Sequence, residues 1–392
     1  GNYAFAECVN LFSIAFNSNV NTIGNYAFSG CQITTLVIPS SVTSVGDYSF
    51  RNCEKLESVT FSPKMTSIAN GTFKKCYNLK ILKNHEFIKR IESNAFSHCI
   101  SLEAINFPQV EYIGNSAFNE CKSLGLIDIP NWSSIGSYAF KECHSIVTMK
   151  IPEKVTTLSE GLFCYCKNLT NIDIPKSVTS IQDCCFLYCV SLKEINIPPN
   201  LKHLGESALA VCILLTKIVL PKTIKTIGSY CFGNCISLEE VSIPKRGVSI
   251  ENGAFSMCLK LKSFELPDKI PKISSLMFFG CKELKEIKVP KSVESIEYGA
   301  FEDCLLLKEI EIPHVLTIGK NAFKNCSLLE TVVLNESLKS LGSYAFCNCS
   351  SLREFPTLSK NIINIERGVF QNCRNLKTLK YEHDIKIIEK EA

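Results

Sequence analysis

The chain has 392 residues, of which 46% are hydrophobic and 20% charged, so it can bury a large core. Its 42 basic residues nearly balance its 38 acidic ones, and a formal charge of +4 without a long basic run argues against a nucleic-acid-binding or anionic-membrane-binding protein. The most apolar stretch, residues 208–220, contains Lys217 and is shorter than the about 20 residues of a membrane-spanning helix.

One motif recurs from one end of the chain to the other, a Phe followed three residues later by a Cys. It occurs at seventeen positions, with Leu209 replacing Phe once, and successive copies are 22 or 23 residues apart except for one step of 24. A fixed period of this length is the signature of a solenoid of stacked coils. The copies are Phe5/Cys8, Phe28/Cys31, Phe50/Cys53, Phe73/Cys76, Phe96/Cys99, Phe118/Cys121, Phe140/Cys143, Phe163/Cys166, Phe186/Cys189, Leu209/Cys212, Phe232/Cys235, Phe255/Cys258, Phe278/Cys281, Phe301/Cys304, Phe323/Cys326, Phe346/Cys349 and Phe370/Cys373.

The segments within each repeat follow a constant order along the chain. V-T-S-I, as at 178–181, predicts a short strand, and the Gly that often follows it allows a tight bend. A-F-x-x-C then predicts a single short helical or 3₁₀ turn with Phe and Cys on one side. L-x-x-I-x-I-P, as at 192–198, predicts a second short strand, which has an outward residue between its two Ile and which ends at Pro.

No single repeat can bury its own apolar edge, so the repeats are expected to stack. The sequence therefore predicts a β-rich solenoid of about 17 coils of 22–23 residues, with one continuous parallel sheet along one face. Residues 1–392 are expected to form a single domain, and because both ends fall in the middle of a repeat, we expect a fragment truncated mid-coil. Asn335 replaces the Pro of its coil, and the stretch at 79–91 lacks a Pro altogether.

The chain contains 22 cysteines, of which seventeen occupy the repeated position. The other five lack the paired C-x₂₋₄-C spacing of structural zinc sites, and we predict no metal site. Stacking would bring successive repeated cysteines within disulfide range, but their odd number and parallel orientation favour buried thiols that pack as small apolar residues. The five that remain as candidates for disulfide bonds are Cys164, Cys184, Cys185, Cys231 and Cys347.

Repeats such as IPSSVTSVGDYSFRNCEKLESV, at 38–59, and VPKSVESIEYGAFEDCLLLKEI, at 289–310, resemble the BspA-like, or treponemal-type, leucine-rich repeats. The resemblance covers essentially the whole chain and implies a leucine-rich repeat solenoid. It also implies the role of bacterial surface proteins and protozoan surface antigens, which are implicated in adhesion to host cells, matrix proteins or other microbes. The family supplies no catalytic residue, and the six histidines have no catalytic spacing, so we predict neither enzyme activity nor a cofactor.

The outward residue of the L-x-x-I-x-I strand varies freely from coil to coil, whereas the core positions hardly change. We predict that this row binds a protein or glycan, with a patch formed by Asn106, Asp128, Lys150, Asp173 and Asn196, where charge is less crowded than in later coils. A monomer that is secreted or displayed at the cell surface is the expected context. The alternative is an intracellular, cytoplasmic scaffold for protein–protein interaction, because a reducing compartment keeps thiols unpaired.

Overall fold

The computed structural model describes residues 1–334, 336–381 and 383–392. It contains two units of stacked coils, Gly1–Pro198 and Pro199–Ala392. The prediction that Asn335 takes the place of a Pro concerns a position outside the described residues.

The strands of the first unit alternate between two lengths along the chain. Even-numbered strands have three residues and come from L-x-x-I-x-I, whereas odd-numbered strands have two and come from V-T-S-I or its equivalent. They are β1 (Thr22–Ile23), β2 (Thr35–Val37), β3 (Ser44–Val45), β4 (Ser58–Thr60), β5 (Ser67–Ile68), β6 (Ile81–Lys83), β7 (Arg90–Ile91), β8 (Ala104–Asn106), β9 (Tyr112–Ile113), β10 (Leu126–Asp128), β11 (Ser134–Ile135), β12 (Thr148–Lys150), β13 (Thr157–Leu158), β14 (Asn171–Asp173) and β15 (Ser180–Ile181).

The second unit repeats this alternation over most of its length. Its strands are β16 (His203–Leu204), β17 (Lys217–Val219), β18 (Thr226–Ile227), β19 (Glu240–Ser242), β20 (Ser249–Ile250), β21 (Ser263–Glu265), β22 (Lys272–Ile273), β23 (Glu286–Lys288), β24 (Ser295–Ile296), β25 (Glu309–Glu311), β26 (Thr317–Ile318), β27 (Thr331–Val333), β28 (Ser340–Leu341), β29 (Asn364–Ile365) and β30 (Ile387–Ile388). The described residues contain no helix.

Each unit therefore has two parallel strand ladders, which we call the long-strand face and the short-strand face after the three-residue and two-residue strands. On the long-strand face of the first unit the hydrogen-bonded groups are β2-β4-β6, β8-β10 and β12-β14, and on that of the second unit β17-β19, β21-β23 and β25-β27. The parallel solenoid fold is confirmed. The sheet is not continuous, because each ladder is divided into short groups.

Alternation of side chains in the strands places the apolar residues inside, as predicted. The middle residue of a long strand is buried in most coils, for example Ile105 in β8 and Ile172 in β14, while the residues on either side are exposed. The long-strand face thus presents two outward rows, formed by the first and third residues of each strand.

The A-F-x-x-C segments form tandem turns, which differ from the predicted helical or 3₁₀ turns. The amide of Cys121 donates within its own coil to the carbonyl oxygen of Phe118, at 3.1 Å, but the amide of Phe118 donates to Ala139 in the next coil, at 2.9 Å. Consecutive amides of a helix would all donate locally. Ser116 and Glu120, with φ of 54° and 59°, adopt the left-handed conformation and turn alternate amides toward the neighbouring coil.

The repeated Phe rings stack on one another inside each unit. Phe118 and Phe140 lie 5.4 Å apart between ring centroids with planes 8° from parallel, and Phe278 and Phe301 lie 5.5 Å apart at 10°. Leu209, which replaces Phe in its coil, is also fully buried. The rings form a repeated internal contact between neighbouring coils, which is interrupted where Leu209 replaces Phe.

The repeated cysteines form a second internal row beside the rings. The thiol of Cys121 donates to the carbonyl oxygen of Phe96, at 3.1 Å, and the thiol of Cys304 donates to that of Phe278, at 3.2 Å. A small side chain that packs as an apolar residue and still donates a hydrogen bond explains why Cys occupies this position. Buried thiols at the repeated position are thus confirmed for most coils, with Cys8 exposed.

Candidate functional site

The five residues predicted to bind a partner are all exposed on the first unit. Asn106, Asp128, Lys150 and Asp173 are the third residues of β8, β10, β12 and β14, in the outward row of the long-strand face. Asn196 is exposed as well, but it lies in a segment without a strand. Four of the predicted residues therefore share one rigid surface.

Strand pairing arranges these four residues as two pairs. Asn106 is the register partner of Asp128, and Lys150 is the register partner of Asp173. β10 and β12, which separate the pairs, are not hydrogen-bonded to each other. The four residues therefore lie in the outward row as two separate pairs, and Asn196 lies outside both pairs.

A cleft of about 560 Å³ opens where β10 and β12 separate. Its apolar lining includes Ile127, Met149 and Trp132, while Asp128 and Lys150 contribute charged groups from the two sides. We call it the Trp132 cleft. Ile127 occupies a strand position that is buried in most coils but is only half-buried here, since the neighbouring strand no longer covers it.

β6 and β8 are not hydrogen-bonded to each other either. A second cleft, of about 610 Å³, extends from β6 across the β8–β10 pair to Thr148 of β12, and it shares Ile127, Asp128 and Thr148 with the Trp132 cleft. We call it the His85 cleft. Its core-position residue Leu82 is half-buried, and the His85 ring packs edge-on against Phe107 with centroids 5.1 Å apart. Desolvation by burial lowers the pKa of His85, so the ring is neutral near pH 7.

Exposed aliphatic side chains line the His85 cleft. Leu126, the first residue of β10, is 73% exposed and is the register partner of Ala104 in β8. Ile81, on the far side of the His85 cleft, is 49% exposed. Exposed large apolar side chains that line adjacent clefts are typical of interaction surfaces.

The charges of the two long-strand faces are arranged differently. In the second unit, Lys217 and Glu240 form an ion pair at 2.7 Å across neighbouring coils, so part of the surface charge is neutralised internally. Within the part of the chain that the structure describes, Asp128, Lys150 and Asp173 take part in no ion pair. Their charges are directed to solvent and are available to a partner.

The core thiols offer no reactive group at this surface. Burial raises the pKa of the Cys99 and Cys121 thiols well above the usual value, and protonated thiols are poor nucleophiles. Over residues 1–334, 336–381 and 383–392 there is no cluster of three or more His, Cys, Asp or Glu side chains suited to a metal ion. The arrangement of the surface is therefore suited to binding by shape and charge.

Sequence reasoning identified the exposed row but missed the two clefts beside it. One signal was Trp132, the single Trp of the chain, which takes the place that Val155 has in the next coil. The loops P-N-W-S-S-I, at 130–135, and P-E-K-V-T-T-L, at 152–158, also differ in length by one residue. The other signal was the coil at 79–91 without a Pro, which contains His85.

Among the described residues, no helix has the length and apolar character needed to cross a membrane. This agrees with the chain sequence, in which the longest apolar stretch, at 208–220, is interrupted by Lys217.

Comparisons with known proteins agree with the observed fold. The family described as "BspA type Leucine rich repeat region" matches residues 1–103, 89–216, 205–330 and 305–392. A leucine-rich repeat protein from Bacteroides ovatus is 30% identical with a TM-score of 0.71, and the match covers 94% of this chain and 90% of that one. A leucine rich cell surface protein from Faecalibacterium prausnitzii is 22% identical with a TM-score of 0.44, over 94% of this chain and 85% of that one. No curated protein matched the chain.

Proposed function

The chain belongs to the BspA-type leucine-rich repeat family, and from this premise we propose that it is a non-enzymatic recognition module. It is displayed at a cell surface or secreted, and it mediates adhesion by binding a protein or glycan through the long-strand face of the first unit. The observation that carries the proposal is the set of exposed polar side chains held on paired strands at Asn106, Asp128, Lys150 and Asp173. Among the described residues, the three charged members of this set take part in no ion pair.

Rigidity of the scaffold supports this proposal. Main-chain pairing joins β8 to β10 and β12 to β14, and the Phe118 and Phe140 rings stack between the two pairs, so the outward side chains are held in place before a partner arrives. A preorganised surface loses less conformational freedom on binding than a flexible one. The role in adhesion, the surface antigen character and the host interaction rest on the family resemblance.

Charge reversal tests the binding surface. The triple variant Asp128→Lys, Lys150→Glu, Asp173→Lys is expected to weaken binding of the purified chain to immobilised matrix proteins or to a glycan array. A matched control reverses Glu286 and Lys288 of β23, on the long-strand face of the second unit. Equal binding by both variants and the unchanged chain would remove the proposed surface.

Display at the surface is tested separately on intact source cells. A membrane-impermeant amine reagent is expected to label the chain, because lysines such as Lys150 are exposed. Labelling that appears only after the cells are lysed would contradict surface display and would leave the binding surface itself untouched.

An intracellular scaffold is the second candidate, and the hydrogen-bonded thiol row favours it. The thiols of Cys99 and Cys121 donate to main-chain carbonyl oxygens, and cysteines that remain as thiols suit a reducing compartment. Thiol counting on protein from its native source distinguishes the two candidates. Disulfide bonds among the cysteines outside the repeated position, which are Cys164, Cys184, Cys185, Cys231 and Cys347, would favour export.

A further inference from the structure

We infer that the Trp132 cleft binds an extended peptide segment of a protein partner. The peptide inserts one large apolar side chain, which is flanked by one basic and one acidic residue. This inference deepens the proposed function and rests on it, because the cleft lies within the long-strand face of the first unit. The cleft, the open strand edges and the charges on its two sides each contribute a separate reason.

The shape and lining of the cleft fit an apolar side chain. Its volume of about 560 Å³ lies in the usual range of ligand-binding pockets, about 300–1,000 Å³. Ile127, Met149 and Trp132 supply aliphatic and aromatic lining, and Trp132 is only 1% exposed, so it presents little of its ring as a flat platform. A sugar placed here would bury hydroxyl groups against apolar atoms without hydrogen bonds, which is unfavourable.

The main chain beside the cleft favours a peptide. Among the described strands, β10 pairs only with β8 and β12 only with β14, so each has one edge at the gap that no described strand covers. Groups on such edges readily pair with the backbone of another extended segment. The outward rows next to the gap provide contacts for the side chains on either side of the inserted one.

The charged groups of the cleft determine which peptide residues are favoured on either side of the inserted side chain. Asp128 is on the β10 side of the cleft and Lys150 is on the β12 side, while Glu153 and Lys154, in the loop after β12, line it with one charge of each sign. Among the described residues, none of these four takes part in an ion pair. A basic residue of the peptide can approach Asp128 while an acidic residue approaches Lys150. Beside β10, the exposed Leu126 extends the apolar contact toward the His85 cleft.

The chain carries its own reporter of occupancy. Trp132 is the single Trp of the sequence and lines the cleft, so all Trp fluorescence of the protein comes from this site. The experiment pans a library of random linear peptides against the whole chain and titrates the enriched peptides while recording Trp132 emission. Peptides that contain Trp are remade with Phe at that position.

A matched pair of variants locates the binding. Thr148 and Asn171 are exposed register partners at the first positions of β12 and β14. Thr148 lines both the Trp132 cleft and the His85 cleft, whereas Asn171 lines neither, so the emission of Trp132 assigns the binding to the Trp132 cleft. Thr148→Tyr is expected to weaken binding about tenfold or more by filling the cleft, whereas Asn171→Tyr is expected to change it less than about twofold. Circular dichroism of both variants checks that the fold is retained.

Supporting peptides share one large apolar residue with neighbouring charges, shift the emission of Trp132 and lose affinity with Thr148→Tyr. Peptides that bind without an emission shift and tolerate Thr148→Tyr would overturn the cleft as the site. If those same peptides respond to reversal of Asp173, binding by the long-strand face survives without the cleft. Failure to enrich any peptide above an unrelated protein would also overturn the inference, while a positive glycan array would leave the proposed function standing.

Discussion

The contact between Tyr138 and Gly161 allows the stacking of coils to be tested at one point. Both residues occupy the position two before the repeated Phe, in neighbouring coils, and both are left-handed, with φ of 60° and 58°. A Cβ atom added to Gly161 would lie 2.2 Å from two carbon atoms of the Tyr138 ring. Gly161→Ala should therefore introduce both backbone strain and a clash.

The magnitude follows from these two effects. A non-glycine residue in the left-handed region costs about 1–2 kcal/mol, and overpacking of a fitted site costs about 1–3 kcal/mol. Gly161→Ala is expected to destabilise this part of the unit by about 2–5 kcal/mol. In the background of Tyr138→Ser the clash is absent, and only the strain of about 1–2 kcal/mol remains.

Hydrogen exchange is the appropriate assay, because damage in a solenoid is expected to remain near the altered coil. The peptides to follow are those that contain the amide of Phe140, which donates to Leu162 in the next coil at 3.1 Å. Ser116→Ala is the control for a substitution at this position without new strain or a new Cβ contact, since Ser116, with φ of 54°, already carries a Cβ atom there. It should change exchange little. Equal losses from Gly161→Ala with and without Tyr138 would refute the ring contact as the cause.

Three further results are expected. Phe232→Ala should cost roughly 3–5 kcal/mol through the cavity it leaves, and hydrogen exchange should rise first in neighbouring coils; a uniform rise along the chain would contradict this. Burial raises the pKa of the Cys235 and Cys281 thiols to about 12, whereas unfolded thiols ionise near 8.5. Below about pH 8.5 these thiols should not reduce the free energy of unfolding measured in urea titrations. Between about pH 8.5 and pH 12 that free energy should fall by about 1.4 kcal/mol per pH unit for each thiol. The fall should be shallower in Cys281→Ala. Iodoacetamide should modify the exposed Cys8 in the folded chain, while the buried thiol of Cys281 should react only after unfolding.

Features of the fold that recur in many coils could be predicted from the sequence, because each is set by the same packing contacts in every copy. The Phe ring and the Cys thiol meet the same neighbours in coil after coil, so their period alone located the core and both strands of each repeat. The turn conformation was harder to predict, because residues as different as Ser116, Glu120 and Tyr138 all adopt the left-handed region. Their common feature is that alternate amides donate to the next coil. The conformational propensities of the individual residues do not predict such a contact between coils.

The two clefts could not be predicted from the sequence for a different reason. In the first unit both interruptions of the long-strand face coincide with a change in loop length after the strand, next to His85 and Trp132. In the second unit β25 and β27 pair across the same kind of change, while β19 and β21 fail to pair without one. Strand pairing therefore depends on how the side chains of two specific coils fit together. A consensus of all repeats does not contain this information.

Inward and outward residues of each coil have different roles, which explains how the long-strand face can vary in sequence without loss of the fold. Inward groups such as Phe118 and Cys121 are fixed by contacts with two neighbouring coils, and changing one disturbs three layers. An outward group such as Lys150 or Asp173 contributes little to stacking, because exposed charges add little to stability. Substitutions in the outward rows can therefore alter the partner while the core preserves the geometry. Where two strands separate, as β10 and β12 do, main-chain pairing is absent and a cleft is present that can take part in recognition.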